Sequence, residues 1–394
     1  MSAEMPSSPY RLDFKAFHDW NGDRPSQTLI FHNNGSSWWI KVEVDWPLPE
    51  SILKLGHFQH RATFREFIEA IDFTQLPLLD NTVTSIVLSL AEQRHNPIMI
   101  RDGFQTHTNF YIDMAHQLCY TIAEDPKKVI YPTLDRDVNV PTIEATCLQN
   151  IELVAPAVST VTFRQQKLAY KTIDRPIYIP EDTKSIMDEV EALALFSGHP
   201  NIAQLVGLVV SENPYKTCPS NDMPTVVTGF LLEYYSGGSL DKFIEESEIQ
   251  KDSLPIQWAT QIGSALETLH AKGRTHLDIK QSNVLLDAEQ NAILIDISGT
   301  GGYTWEWLSP EIQDIVLNNV ELLPWDMPFE TRVAADCWAF GKLLLALAEK
   351  SGTGSVSEAL RSVADGLMET APEVRVSLGG ALAQLKSRQV ESAS

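Results

Sequence analysis

The chain has 394 residues, 43% hydrophobic and 21% charged, with nine Trp; this is the composition of a folded chain with room for two to three cores. Lys and Arg number 30 against 52 Asp and Glu, a net charge of −22, so no broad cationic surface is available and neither nucleic acid nor a membrane surface is an expected partner. No apolar run approaches the roughly 18 residues of a membrane span, and Met1 to Pro9 lacks the basic and apolar regions of a signal peptide, so an intracellular location, cytoplasmic or nuclear, is expected.

The first 140 residues carry 12 basic and 18 acidic side chains and read as an α+β module. Thr28 to His32 and Ser37 to Trp46 alternate around Asn34-Gly35, which predicts a hairpin. In the second run Ile40, Val42, Val44 and Trp46 share a face opposite Trp39, Lys41, Glu43 and Asp45, the pattern of a half-buried strand. Phe64, Phe67, Ile68 and Ile71 predict an amphipathic helix. Val83, Ile86, Val87 and Leu90 predict a second, with Asp80 or Asn81 as its cap. Strands are expected at Phe110 to Met114, Gln117 to Ile122 and Val129 to Tyr131. His57, His60, His95, His107 and His116 lack metal-ligand spacing and are expected to be solvated or packed. Cys119, Cys147, Cys218 and Cys337 are too dispersed for a zinc site and are expected to be buried thiols in a reducing compartment. Around Leu134 to Pro141 the pattern breaks into Asp, Arg, Asn and Pro, a boundary that divides the chain into 1–140 and 141–390.

The second part holds 18 basic and 34 acidic side chains. A helix carrying Ile256, Ala259, Ile262, Leu266 and Leu269 is expected, with Asp252 or Ser253 at its start and Gly273 at its stop. Apolar strands follow at Val284 to Leu286 and Ile293 to Ile295, joined through Asp287 to Asn291. His276, Asp278, Lys280 and Asn283 therefore lie on a loop between helix and hairpin, and Asp296 lies where the second strand ends. Two carboxylates, an amide and an ammonium gathered at one place suit phosphoryl transfer. One carboxylate orients the attacking hydroxyl, a Lys offsets charge on the moving group, and an Asn oxygen with the second carboxylate holds magnesium.

HLDIKQSN, with Asp296 13 residues after Asn283, resembles the HRD-x-K-x-x-N loop and metal-binding Asp of eukaryotic protein kinases. Leu168-Ala169-Tyr170-Lys171 is similar to the strand whose Lys holds the ATP phosphates. A helix bearing Ile186, Val190, Leu193 and Phe196 follows and ends in His199-Pro200-Asn201-Ile202. Glu189 projects beside that buried stripe, where Lys171 is the partner that the fold would supply; Glu191 is expected to be solvated. Phe230 to Leu240 resembles the hinge, which implies Leu232 as gatekeeper and the backbone of Glu233 and Tyr235 as adenine partners, with Val154 and Ala169 also lining the ATP site. Ser309-Pro310-Glu311 stands for A-P-E, Asp336 to Gly341 matches a D-x-W-x-x-G helix start, and Arg375 is placed to pair with Glu311. The resemblance spans about residues 145 to 386. It implies a bilobal protein-kinase-like fold, with a small five-stranded, β-rich lobe carrying one helix and a larger helical lobe, preceded by the separate α+β module, giving an α+β class overall.

The implied activity is ATP- and magnesium-dependent transfer to a protein Ser or Thr. Asp278 and Lys280 would be catalytic, and Thr304, seven residues before Glu311, would contact both. Lys171, Glu189, Glu233, Tyr235, Val154 and Ala169 would serve ATP, and Asn283 and Asp296 the Mg2+. Three departures stand out. The segment Ile151 to Thr162, where the phosphate-covering loop belongs, has no Gly, so Ala155-Pro156-Ala157 should cover ATP less closely. Leu277 replaces the Arg that receives an activation-loop phosphate, and Asp296 to Glu311 spans only 16 residues. A pseudokinase that binds partners is therefore the alternative; a small-molecule phosphotransferase is disfavoured by Lys280, Ser309-Pro310-Glu311 and Arg375. The acidic surplus, including Glu245, Glu246 and Glu248, suggests a basic peptide substrate or a solvated face that maintains solubility.

Overall fold

A computed structural model describes residues 10–19, 24–90, 96–101, 104, 109–134, 140–175, 178–246, 253–300, 302–319 and 321–393. His95, His107, Glu248, Asp252, Met1 to Pro9 and residues 135–139 of the expected boundary lie outside them. The chain divides into two units, one of Met1–Lys128 with Ser211–Val226, the other of Val129–Val210 with Val227–Ser394.

The first unit holds a five-stranded sheet, in order β1-β2-β3-β4-β5, and, among the described residues, three α-helices. Its elements are β1 (Tyr10–His18), β2 (Ser26–Asn33), β3 (Ser36–Val44), α1 (Glu50–Leu53), α2 (His57–Ala70), β4 (Val83–Leu90), α3 (Phe110–Met114) and β5 (Leu118–Glu124). Strands β2 and β3 turn through Asn34 (φ 49°) and Gly35 (φ 80°), as the Asn-Gly pair predicts. Ile40, Val42 and Val44 are fully buried against Phe64, Phe67 and Ile68 of α2.

Three expectations for this stretch of chain fail, each for a local reason. Residues 83–90 form a strand, parallel to β3 and antiparallel to β5. Thr84, Ser85 and Leu88 are buried along with Val83 and Ile86, while Val87 is half-buried and Leu90 exposed, so the helical spacing is a coincidence within an interior strand rich in β-branched residues. Residues 110–114 form a helical turn because the Asn109 side chain caps it, accepting from the amides of Tyr111 at 3.0 Å and Ile112 at 3.4 Å. Residues 129–131 are not a strand; the Ile130 amide donates to the Tyr178 hydroxyl at 2.9 Å and its carbonyl accepts from Thr183 at 2.7 Å, so side chains replace a ladder.

Residues 211–226 complete the first unit. The Thr217 carbonyl accepts from the Ser37 amide at 2.8 Å, and the Pro214 carbonyl accepts from the Trp39 indole at 2.9 Å. Asn81 donates its amide to the Thr217 hydroxyl at 2.7 Å, and its side-chain oxygen accepts from the Thr217 amide at 3.1 Å.

The second unit begins with a six-stranded sheet, in order β6-β10-β11-β9-β8-β7. Its strands are β6 (Thr142–Glu144), β7 (Gln149–Ala155), β8 (Val158–Phe163), β9 (Gln166–Thr172), β10 (Leu205–Ser211) and β11 (Val226–Glu233), with α4 (Glu181–Leu195) between β9 and β10. The sixth strand corrects the expected five: the short β6 adds to the edge, parallel to β10. The helical lobe comprises α5 (Leu240–Glu246), α6 (Leu254–Ala271), the hairpin β12 (Val284–Leu286) and β13 (Ala292–Leu294), α7 (Pro310–Asn318), α8 (Phe329–Lys350), α9 (Ser355–Leu367) and α10 (Leu378–Ala393). Helix α6 is its axis, with Ile256, Ala259, Ile262, Leu266 and Leu269 all buried as their spacing predicts. Helix α8 starts seven residues before Asp336, so the D-x-W-x-x-G motif lies inside the helix rather than at its start.

All four cysteines are free; Cys119 and Cys337 are buried, but Cys147 is exposed and Cys218 half-buried, which corrects the expectation of four buried thiols. No helix among the described residues is long and apolar enough to cross a membrane.

Candidate active site

Two clusters of functional groups meet in the second unit. In the first, β9 presents Lys171 and α4 presents Glu189. The ammonium donates to both Glu189 oxygens at 2.9 and 2.7 Å and to Asp296 Oδ1 at 2.7 Å. Burial works against the Lys171 charge, but Asp296 and Glu189 outweigh it and push its pKa up to about 12. Partial loss of water around the Asp296 carboxyl, which stays nearly half exposed, tends to raise it, yet Lys171 prevails and holds it below the ordinary carboxylate range. Asp296 adopts φ 58°, a left-handed conformation that Asp tolerates better than most residues.

The second cluster lies on the loop after α6. Gly273 ends that helix at φ 71°. Two backbone amides of the loop, His276 and Leu277, then donate to the buried Asp336 carboxylate at 2.8 and 2.7 Å. The His276 ring donates from Nε2 to the Ile295 carbonyl at 2.9 Å and accepts at Nδ1 from the Asp278 amide at 3.3 Å. On this frame Asp278 is surrounded by donors. Lys280 donates to Oδ2 at 2.6 Å and Asn283 Nδ2 to the same oxygen at 3.0 Å, while the Thr304 hydroxyl donates to Oδ1 at 2.9 Å. Lys280 also donates to Thr304 at 2.7 Å. The clusters join through the backbone, because the Ile295 amide, adjacent to Asp296, donates to the Asn283 carbonyl at 3.1 Å.

Asp278, Lys280, Asn283 and Thr304 are thus brought together, as are Lys171, Glu189 and Asp296. The other expected ATP residues are placed differently. Ala169 is half-buried on β9, and Val154 is exposed on β7, every residue of which is exposed. Glu233 and Tyr235 line a cavity of about 540 Å³ with Gly198, His199, Gln204 and Glu289, whereas no residue of the two clusters lines it. The Tyr235 hydroxyl accepts from the Gln204 amide at 3.1 Å, and its burial pushes its pKa up to about 12.

A protein kinase domain family model matches residues 157–353, half of the chain. The chain belongs to the protein kinase domain family. Among curated proteins it is 29% identical over 164 residues to a Saccharomyces cerevisiae protein named fatty acyl-CoA synthetase and RNA processing-associated kinase 1, covering 41% of this chain and 17% of that one. It is 29% identical over 146 residues to the human hormonally up-regulated neu tumor-associated kinase, covering 37% of this chain and 16% of that one. It is 28% identical over 164 residues to the Saccharomyces cerevisiae serine/threonine-protein kinase KIN4, covering 41% of this chain and 19% of that one. The chain spans less than a fifth of the length of these relatives.

Within this kinase domain the departures from the family pattern have a structural form. Strands β7 and β8 close through Pro156 and Ala157, and Ala157 takes φ 60° where a glycine would be unstrained. The Thr172 amide, one residue past Lys171, donates to the Ala157 carbonyl at 2.9 Å and ties the turn to β9. Leu277 is buried at φ 63° in an apolar cluster with Leu308, Ile312, Met327 and Ala335. Glu311 and Arg375 pair through both oxygens at 2.6 and 2.8 Å. Burial would raise the Glu311 acid, but Arg375 draws it below its ordinary value.

Sequence reasoning missed one contact here. Glu191 is exposed, as expected, but it accepts from Arg274 at 2.8 Å. No local sequence signal marks that distant partner, because an exposed Glu is satisfied by water.

Proposed function

We propose that the protein is a Ser/Thr protein kinase that transfers the γ-phosphoryl group of ATP to a protein hydroxyl with Mg2+ as cofactor. The observation that carries this reading is the Asp278 carboxylate, held by Lys280, Asn283 and Thr304 at once. Asp278 orients the acceptor hydroxyl and receives its proton; Lys280, fixed by Asp278 and Thr304, stabilises the charge of the transferring group. Lys171, steadied by Glu189, holds the nucleotide phosphates.

The donor set fits magnesium. Asn283 spends its amide NH2 on Asp278, which leaves its side-chain oxygen free for a hard cation, and Asp296 engages Lys171 through Oδ1 alone. Substrate phosphates would complete the coordination of an ion held by these two residues. Bound there, Mg2+ supplies charge neutralisation at the phosphates. The backbone of Glu233 and Tyr235, with Val154 and Ala169, is assigned to the adenine side by the family pattern. The net acidity of the second half favours a basic peptide as acceptor.

A second reading, a pseudokinase acting as a binding module, is favoured by the β7–β8 turn, whose Ala157 carbonyl is tied to Thr172 and whose strand leaves Val154 exposed. Magnesium-dependent transfer from labelled ATP, compared with Asp278→Asn, separates the two.

A further inference from the structure

Helix α4 has charged residues on two faces. Glu189 points inward, with its side chain 4% exposed, and holds Lys171. Glu191, two residues on, is about 200° around the helix and 71% exposed. The residues one turn away on α4, Met187, Asp188, Ala194 and Leu195, include no cation, so the helix itself supplies Glu191 with no partner. Its partner is Arg274, 83 residues along the chain at 2.8 Å.

Arg274 stands at the root of the catalytic loop, and that root is held in place. Its amide donates to the Leu269 carbonyl at 3.0 Å. The next residue, Thr275, accepts from Arg332 at 3.3 Å, and the following two amides are fixed by Asp336. A Cβ on Gly299 would come within 2.4 Å of the Thr275 carbonyl, so the segment after Asp296 packs directly on this root. The ion pair thus links the helix that positions Lys171 to the loop that carries Asp278. Leu277, buried and apolar, offers no charge for such a link.

We propose that Arg274 and Glu191 form a positioning tether that holds α4 against the catalytic loop, so that Glu189 stays on Lys171 without an activation-segment phosphate. This rests on the kinase reading for its catalytic consequence but not for its structural one. The pair is exposed on one side, and exposed ion pairs change an equilibrium by about fivefold at most, which sets the scale of the effect.

The test uses the full chain with Glu191→Arg, Arg274→Glu, the reversed pair carrying both, and Glu191→Gln, which removes charge with little change of shape. Amide hydrogen exchange over residues 181–195 should quicken roughly three- to fivefold in each reversal and less in Glu191→Gln. It should return to the wild-type rate in the reversed pair. The KM for Mg-ATP should rise in the single reversals, by a similar factor, and recover with the exchange. Unchanged exchange in the single variants, or no recovery in the reversed pair, overturns the tether. Exchange is read without catalysis, so a wild-type chain that transfers no phosphate would defeat the kinase reading and leave this result to stand or fall by itself.

Discussion

Lys171 balances two carboxylates with one ammonium. Glu189 is almost wholly buried, whereas Asp296 is nearly half exposed, so the two acids differ in what they lose when the ammonium is removed. Asp296 can regain water; Glu189 cannot. Lys171→Met should therefore lower the unfolding free energy by about 3–5 kcal/mol, the cost of leaving one member of a buried pair uncompensated. Adding Glu189→Leu should recover most of it, because an apolar pair of similar volume needs no partner. Denaturant unfolding of the two variants measures this, and equal instability in both would show that packing rather than charge sets the cost. For the Lys171–Glu189 pair, a carboxylate beside a buried helical stripe called for a cation in the sequence, and the kinase resemblance supplied Lys171 as that cation. The Glu191–Arg274 pair was not legible there, because an exposed Glu satisfies every local rule by facing water.

At the scale of elements, the segment from Asp296 to Glu311 is secured by packing. Ile297 is fully buried, and Leu308 and Ile312 join Leu277 in the apolar cluster beneath α7. A segment anchored in this way needs no phosphate to order it, so turnover should be the same before and after phosphatase treatment. Leu277→Ala should cost about 2–5 kcal/mol of stability through the cavity it opens. A phosphorylated form with much higher turnover, or an Ala variant of unchanged stability, would contradict this. The motif-bearing elements, α4, α6 and the β12–β13 hairpin, were read correctly because periodicity and chemistry agreed there. Strand β4 was misread because Val83, Ile86, Val87 and Leu90 fall at helical spacing by coincidence, and α3 because the Asn109 side chain caps a turn whose Phe110, Tyr111 and Ile112 are β-like.

At the scale of the molecule, sequence reading separated a module of charge −6 from a domain of charge −16. What it did not reveal was that residues 211–226, between β10 and β11, belong to the first unit. Nothing in that short polar stretch announces the partners Ser37, Trp39 and Asn81, which come from far along the chain. Removing residues 1–128 would take those partners away, so such a truncation is no clean test of what the module does. The first unit does carry a pH dependence. His60 lies buried between Asp19, 3.1 Å from its Nδ1, and the Tyr111 hydroxyl, 2.7 Å from its Nε2, and Asp19 is shared with His57 at 2.6 Å. Burial holds His60 below the ordinary 6.5 despite Asp19. The unfolded chain therefore binds the extra proton first as pH falls, so this contribution to stability is complete above about pH 6.5 and is lost as pH falls from there toward the folded-state value. Thermal unfolding from pH 7.5 to 5 should show that slope in the wild type and a flatter one in His60→Gln; identical slopes would remove His60 from the account.

Phosphoryl transfer from ATP by this chain would depend on Asp278, with Lys280, Asn283 and Thr304 on it, to orient the acceptor hydroxyl and take its proton. The most direct measurement is magnesium-dependent transfer from labelled ATP to the chain itself and to a basic peptide, with Asp278→Asn alongside. The account predicts a wild-type signal that vanishes without magnesium and falls at least about a hundredfold in the variant, as expected for loss of a group that orients and deprotonates the acceptor. A wild-type signal no greater than that of Asp278→Asn, with no thermal shift on adding Mg-ATP, would contradict it.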